Sequence, residues 1–433
     1  MEKSYKGKKL LVIGGFYQHY KIVEAAHELG VEVYVTDYLP LEHAPAKQIA
    51  DKYFMYDINQ VDEMVALCKK EHIDGVLCAH SEACTKPYQE ICERLRYPCF
   101  GTKDQFEILS VKKKFKSFCE EIGVDVIPGY REEMFLDLTN PELEKVEYPL
   151  LVKPSISHGS RGQSICHNLD DMQSAIVHAK ENSSDDKVII EKYMGGCKDL
   201  QLAYIVINGK AALLRVEDRF CGTKGGRLSN LCIATLTPSH SWSTYVENVT
   251  PKVNKLVREL GIVNAPLFLQ GFMDGDKCRF YDPGLRLPGN DYDRVFKAAT
   301  GINISKLLVE FALTGRIEET YYRLLAENPF KQIGSMLFPD VKPGKIKRII
   351  GAEEVIKHPN VVNACIQVKE GDVVGDSYDA KQRLGEIDLL CSSIKELKET
   401  ISWIQSRLSV LDENGEEMIF DLFDINNLVD YGK

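Results

Sequence analysis

Four stretches of this 433-residue chain carry side chains that could hold a chain of phosphates. Lys112 opens the basic run Lys112-Lys-Lys114. Lys153 ends the aliphatic run Pro149-Leu-Leu-Val and precedes Pro154 and the loop Ser155-Ile-Ser-His-Gly-Ser-Arg-Gly162. That loop offers glycines, hydroxyls and two potentially cationic side chains, His158 and Arg161. Its backbone N–H groups could wrap phosphates. Lys187-Val-Ile-Ile-Glu191 reads as a strand that runs through Lys192-Tyr-Met194 into Gly195-Gly196. Such a joint can offer backbone groups to adenine while Met194 packs on the ring, and Asp199 beyond it could accept hydrogen bonds from ribose hydroxyls. Leu267–Met273 and Cys278–Asp282 read as a hairpin about Asp274-Gly275, which brings Gln270 and Asp282 together to within about one residue of register. Two oxygen donors there suit magnesium, a hard cation that keeps several waters. Arg286, in Gly284-Leu-Arg-Leu-Pro-Gly289, could neutralise a transferring phosphoryl group. Each feature alone has an ordinary reading as well: a solvated lysine, a polar turn, an exposed hairpin.

These side chains need a framework, and the pattern supplies one. Leu10–Ile13 is an aliphatic strand closed by Gly14-Gly15. Helical spacing over 18–30 stops at Gly30, a natural C-cap. Val31–Val35 is a second strand, Val61–Cys68 a helix, and Asp74–Ala79 a third strand. The alternation predicts a parallel α/β layer. Asp37 stands where a dinucleotide fold places its ribose acid, which keeps NAD as an alternative. Gly14-Gly-Phe-Tyr-Gln-His19, however, lacks the third glycine of that fingerprint. His80-Ser-Glu82 follows the third strand, where such sheets bind ligands, so Glu82 could meet a cationic substrate group or Ser81 could cap the next helix. Val111–Ile122 is predicted helical, with Lys112 in its first turn and off the apolar stripe. Leu200–Val206 and Ala211–Val216 flank Asn208-Gly209, a strong hairpin signal. Gly344–Gly351 reads as a strand and Ile394–Leu408 as a helix, so residues 333–433 are expected to form a small α+β unit.

Composition narrows the classes. Apolar residues make up 44 % and charged residues 27 %, as in globular proteins, and the length implies two to three domains. The net charge of −10 argues against nucleic-acid binding, which needs a basic face. The N-terminal apolar run Leu10–Ile13 is too short for a signal peptide or a membrane span. Thirteen cysteines without a Cys-x-x-Cys pair point to reduced thiols and a cytoplasmic protein.

In this order, the motifs from about Gln105 to Arg316 resemble the ATP-grasp fold. The whole chain resembles the carboxylate–amine ligases of that superfamily, in the carbamoyl-phosphate-synthase-like or L-amino-acid-ligase-like branch. The resemblance implies an α/β and α+β multidomain protein. Its parts would be a Rossmann-like domain (1–108), an ATP-grasp domain (109–332) with a mobile lid near 124–192, and a small C-terminal α+β domain (333–433). It implies ATP with magnesium, or manganese in its place, and small-molecule carboxylate and amine substrates joined through an acyl phosphate. Lys112 and Lys153 match the two phosphate-contacting lysines, and the loop with His158, Gly159, Ser160 and Gly162 matches the lid loop. Glu191, Lys192 and Met194 match the adenine hinge, and Asp199 the ribose acid. Gln270 and Asp282 match the metal positions, and Arg286 matches the arginine beyond them. Catalytic roles fall on Arg286, Lys153 and His158. Glu82, Arg219 and Arg227 are the substrate candidates, the arginines because guanidinium pairs bidentately with carboxylate. The family's second metal motif, Glu-x-Asn-x-Arg, reads here Asp282-Pro-Gly-Leu-Arg286, so a ligand is missing or is supplied elsewhere, for which Asn290 is a candidate. That departure keeps a non-catalytic ATP-binding homologue as an alternative, and a homodimer is left open.

Overall fold

A computed structural model describes residues 4–137, 139–155, 162–183, 185–222, 231–290, 292–327, 330–376 and 382–429. Four short strands open the chain: β1 (Lys9–Ile13), β2 (Glu32–Thr36), β3 (Lys52–Phe54) and β4 (Gly75–Leu77). They form a parallel sheet in the order β3-β2-β1-β4. Burial on both faces explains the unbroken aliphatic run Leu10–Ile13, whose side chains are almost fully buried. The charged, exposed β3 carries no such signal. Asp37 is structural: its two carboxylate oxygens accept the Gly15 and Leu39 N–H groups at 2.9 and 2.6 Å. Both oxygens are thus engaged by the chain's own backbone.

The helix Lys112–Ile122 leads into a second, antiparallel sheet. It contains β5 (Gly129–Tyr130), β6 (Leu150–Pro154), β7 (Ser164–Cys166) and β8 (Val188–Lys192), in the order β5-β8-β6-β7. This unit has its own small core, with Leu150, Val152, Ile176 and Ile190. Leu151 and Lys153 share the half-buried face of β6.

The largest sheet has eight antiparallel strands. Six of them are β9 (Lys198–Ile207), β10 (Lys210–Cys221), β11 (Cys232–Leu236), β12 (Ala265–Asp274), β13 (Lys277–Gly284) and β14 (Ile333–Leu337). The order is β13-β12-β9-β10-β11-β14, extended by the strands Gly385–Cys391 and Val361–Ile366. The sheet therefore runs across the 332/333 division, although the C-terminal residues also build a core of their own around Leu397, Ile401 and Ile404. The helix Ile394–Arg407 packs there. All thirteen cysteines are free thiols. Among the described residues, no helix is long and apolar enough to cross a membrane.

One polar clasp ties the C-terminal tail to this sheet. His240 Nδ1 lies 2.6 Å from Asp218 Oδ2, and its Nε2 lies 2.8 Å from the Val429 carbonyl. Both partners accept, so both ring nitrogens carry protons and the ring is an imidazolium. The Asp218 carboxylate raises the His240 pKa accordingly. A raised folded-state pKa adds stability that is complete below the ordinary imidazole value and is lost as pH rises through the raised one. His240→Gln is therefore expected to lower the melting temperature more at about pH 6 than at about pH 9, through a contact of about 1.5–3 kcal/mol. Equal losses at both pH values in thermal melts would show that the ring is neutral.

Candidate active site

The hairpin β12–β13 carries a bulge at Gln270/Gly271, and with that bulge the register sets Gln270 directly opposite Asp282. Gln270 also faces Gln201 of β9, and Gln201 faces Glu217 of β10. Four polar residues thus form one row across four strands. Gln270 donates its amide N–H to Gln201 Oε1 at 3.2 Å, and Gln201 donates to Glu217 Oε1 at 2.5 Å. Gln270 is left with its carbonyl oxygen for a cation. Glu217 is fully buried, which raises its pKa, and Arg215 nearby opposes that rise.

Lys112 reaches this row from the first turn of its helix, with Nζ 3.5 Å from Asp282 Oδ1. Its position off the apolar stripe leaves it mostly exposed. Lys153 forms a very short ion pair with Glu191 across the β6–β8 ladder, where Leu151 stands opposite Glu191. Both are largely buried. Lys116, four residues beyond Lys112 on the same helix face, joins them. Burial lowers its pKa, while Glu191 pulls it back up. The sequence reading missed Lys116, although its i,i+4 spacing from Lys112 was a usable signal.

The remaining candidates divide. Gly162 has φ +73°, and a Cβ there would meet Asn182 and Pro154 at 2.5 and 2.7 Å, so the loop end requires glycine. Met194 is buried after β8. Lys192 is held by Glu147 at 2.8 Å and Asp274 at 3.0 Å, clasping the small sheet to the hairpin β12–β13. Asp199 is not an open ribose acceptor: its oxygens bind Arg219 at 2.5 Å and the Tyr281 hydroxyl at 2.8 Å. Burial raises the Asp199 pKa, and Arg219 opposes that rise. Arg219 is correspondingly tied into the sheet face rather than directed at an open carboxylate pocket. These partners are far apart in sequence, which is why the pattern alone missed them. Glu82 pairs with Arg286 at 2.7 Å, and Ser81 makes no side-chain cap. Arg286 also lies over the Phe268 ring at 4.5 Å. Gly284 has a spatial reason: a Cβ there would lie 3.3 Å from Arg286 and from Glu82 Oε2. Asn290 accepts from Arg215 at 2.9 Å, so it is already committed. His158, Gly159, Ser160 and Arg227 lie outside the described residues.

The first sheet is docked onto the segment that carries Arg286. Leu287 N–H donates to Ala79 O at 2.7 Å, and Gln18 donates to Gly289 O at 2.9 Å. With the Glu82 pair, these contacts fix Arg286 at the carboxyl end of β4.

Two segments of the chain match known families. Residues 111–270 match the family described as carbamoyl-phosphate synthase L chain, ATP binding domain. Residues 10–85 match the PylC-like N-terminal domain. Residues 111–270 are thus similar to an ATP-grasp ATP-binding domain. Its fold superposes on that of phosphoribosylglycinamide synthetase from Anaerococcus prevotii with a TM-score of 0.76, at 16 % identity, over 94 % of this chain and 100 % of that one. L-amino acid ligase from Bacillus licheniformis gives a TM-score of 0.74 at 18 % identity, over 95 % of this chain and 100 % of that one. The biotin carboxylase domain of Hydrogenobacter thermophilus 2-oxoglutarate carboxylase, in complex with MgADP and bicarbonate, gives 0.70 at 16 % identity, over 93 % and 91 %. The formate-dependent phosphoribosylglycinamide formyltransferase of Methanocaldococcus jannaschii is 25 % identical over 189 residues, 43 % of this chain and 48 % of that protein. The chain's matches span about half or less of the first curated relatives. The ATP-binding match ends at Gln270; Asp282 lies beyond it, opposite Gln270 in the β12–β13 register, and Arg286 follows β13.

The donor set fits magnesium. Two opposed oxygen-bearing side chains suit a cation that takes its other ligands from phosphate and water, and the nearby lysine suits the phosphate. Among the described residues, no group of three or more His, Cys, Asp or Glu forms a self-sufficient metal cage.

Proposed function

We propose that the protein is an ATP-dependent carboxylate–amine ligase that forms an amide or peptide bond and releases ADP and phosphate. The observation that carries this reading is the convergence of Lys112, Asp282 and Gln270 at one end of the sheet, beside a segment that fixes Arg286. The ATP-grasp fold supplies the context.

Lys112, Lys116 and Lys153 supply positive charge along the path of a triphosphate, between the small sheet and the large one. Magnesium, when bound at Gln270 and Asp282, supplies further charge neutralisation. Arg286 would orient the carboxylate and spread charge as its oxygen attacks the γ-phosphorus and the bond to ADP breaks. For that it must exchange Glu82 for substrate, and Glu82 then becomes free for an amine. Closure of the small sheet over the site would exclude water from the acyl phosphate. Breaking the Lys192 clasp to Asp274 would release the small sheet from the hairpin for this motion. The same small-molecule chemistry is consistent with a cytoplasmic enzyme.

A non-catalytic ATP-binding role is the second reading, favoured by Gly284, which has no side chain to hold a metal. An ADP-release screen over amino acids, sugar acids and small dicarboxylates, each with several amines, separates the two. Magnesium-dependent ADP release that requires a carboxylate supports the ligase. Nucleotide binding without such release on the whole panel supports the alternative.

A further inference from the structure

A side-chain amide has two ends of opposite character. Gln270 can hold a cation only if its carbonyl oxygen faces the site and its NH2 group faces away. The shape of the side chain does not set that choice, because the two ends are nearly equal in size. The hydrogen bonds around it must set it.

The choice is made two strands away, on β10. Glu217 and Arg215 are almost fully buried there, and Gln201 on β9 is buried between them and Gln270. Glu217 Oε1 lies 3.7 Å from Arg215 Nη2, and Oε2 lies 3.4 Å from the Thr237 hydroxyl. A guanidinium can only donate, so Oε1 is held as an acceptor. Gln201 must then turn its NH2 toward Glu217, and it donates to Oε1 at 2.5 Å. Its carbonyl is left for the other neighbour and accepts from the Gln270 NH2 at 3.2 Å. Burial works against the Glu217 charge, and Arg215 and Arg219 work to restore it.

The direction of one bond thus fixes the next. Reversing Gln201 would set its carbonyl against the Glu217 carboxylate and its NH2 against that of Gln270, which breaks both bonds at once. A buried ion pair is weak evidence for stability, but it can specify one arrangement among several. We propose that Gln201 and Glu217 are positioning residues for the metal: the buried Arg215–Glu217 pair directs the Gln201 amide, and Gln201 in turn holds the Gln270 carbonyl toward magnesium. Both act through Gln270 and need no contact with cation or nucleotide. The proposal rests on magnesium binding at Gln270 and Asp282, as in the ligase reading above. It also separates the two metal positions. Asp282 presents an oxygen in either orientation of its carboxylate, whereas Gln270 depends on the relay behind it.

Gln201→Met cuts the relay and leaves the Arg215–Glu217 pair in place. The test titrates the full chain with a non-hydrolysable ATP analogue, in magnesium and in chelator, and reads the gain in affinity that magnesium brings. Gln201→Met is expected to lower that gain about tenfold while affinity in chelator stays within about twofold of wild type. Gln270→Glu supplies the control, since a carboxylate offers oxygen whichever way it turns. In that background Gln201→Met should change the gain by no more than about twofold. An undiminished gain in Gln201→Met, an equal loss in chelator, or the same loss in the Gln270→Glu background overturns the proposal. Should Gln201→Met lose its circular-dichroism signature, Gln201→Asn, one methylene too short to span both contacts, carries the same test. A wild type whose affinity does not respond to magnesium removes the metal reading of Gln270 and Asp282, and this proposal with it. A wild type that responds, alongside an unimpaired Gln201→Met, removes this proposal alone.

Discussion

Lys153→Ala is expected to weaken ATP binding at least about tenfold and to cut ADP release by about 1000-fold. Two effects act in the same direction. The ammonium that would counter phosphate charge is lost. The Glu191 carboxylate, only 14 % exposed, is also left without its partner and turns its charge toward the nucleotide. The double variant Lys153→Ala/Glu191→Gln separates them, because it removes the repulsion without restoring the attraction. It should bind ATP more tightly than Lys153→Ala alone and less tightly than wild type. Isothermal titration of the three proteins reads the order directly. Equal affinities for all three would mean that the pair stabilises the small sheet and faces no nucleotide.

Asp282→Asn is expected to reduce magnesium-dependent ADP release by about 1000-fold, the scale of several kcal/mol that a correctly held cation supplies. The side chain lies opposite Gln270 and 3.5 Å from Lys112, and the substitution keeps its size while removing its charge. The sign differs without metal. In chelator, the variant should bind nucleotide at least as well as wild type, because one carboxylate no longer repels the phosphates. The check is nucleotide affinity measured with and without magnesium. A loss of the same size in both conditions would assign Asp282 to folding, through its lysine contact, and leave the cation without a protein ligand.

Much of the framework was legible because it rests on local pattern. The aliphatic run before Gly14 is buried on both faces, and it is the central strand β1. The alternation around Asn208-Gly209 and Asp274-Gly275 is the two hairpins β9–β10 and β12–β13. The continuation of the large sheet into Gly385–Cys391 was not legible, since antiparallel pairing between distant strands leaves no local mark. The same limit applies to the site. Residue types and order brought out Lys112, Lys153, Gln270 and Asp282, yet the bulge at Gln270/Gly271, which sets Gln270 opposite Asp282, leaves no mark in the residue pattern. Asp199 and Lys192 sit at the expected positions in the chain, but their partners Arg219, Tyr281, Glu147 and Asp274 come together only in space. Likewise, a glycine in place of asparagine at position 284 reads as a lost ligand in sequence. In three dimensions a Cβ there would lie 3.3 Å from the Arg286 and Glu82 side chains, which would have to shift by a few tenths of an ångström.

The most direct measurement is a crystal structure of the protein with a non-hydrolysable ATP analogue and magnesium. The β- and γ-phosphates should lie about 3 Å from the Nζ atoms of Lys112 and Lys153, with a cation between them and the Asp282 carboxylate. A cleft that stays empty at saturating analogue, with both lysines directed into solvent, would contradict nucleotide binding here and the ligase chemistry built upon it.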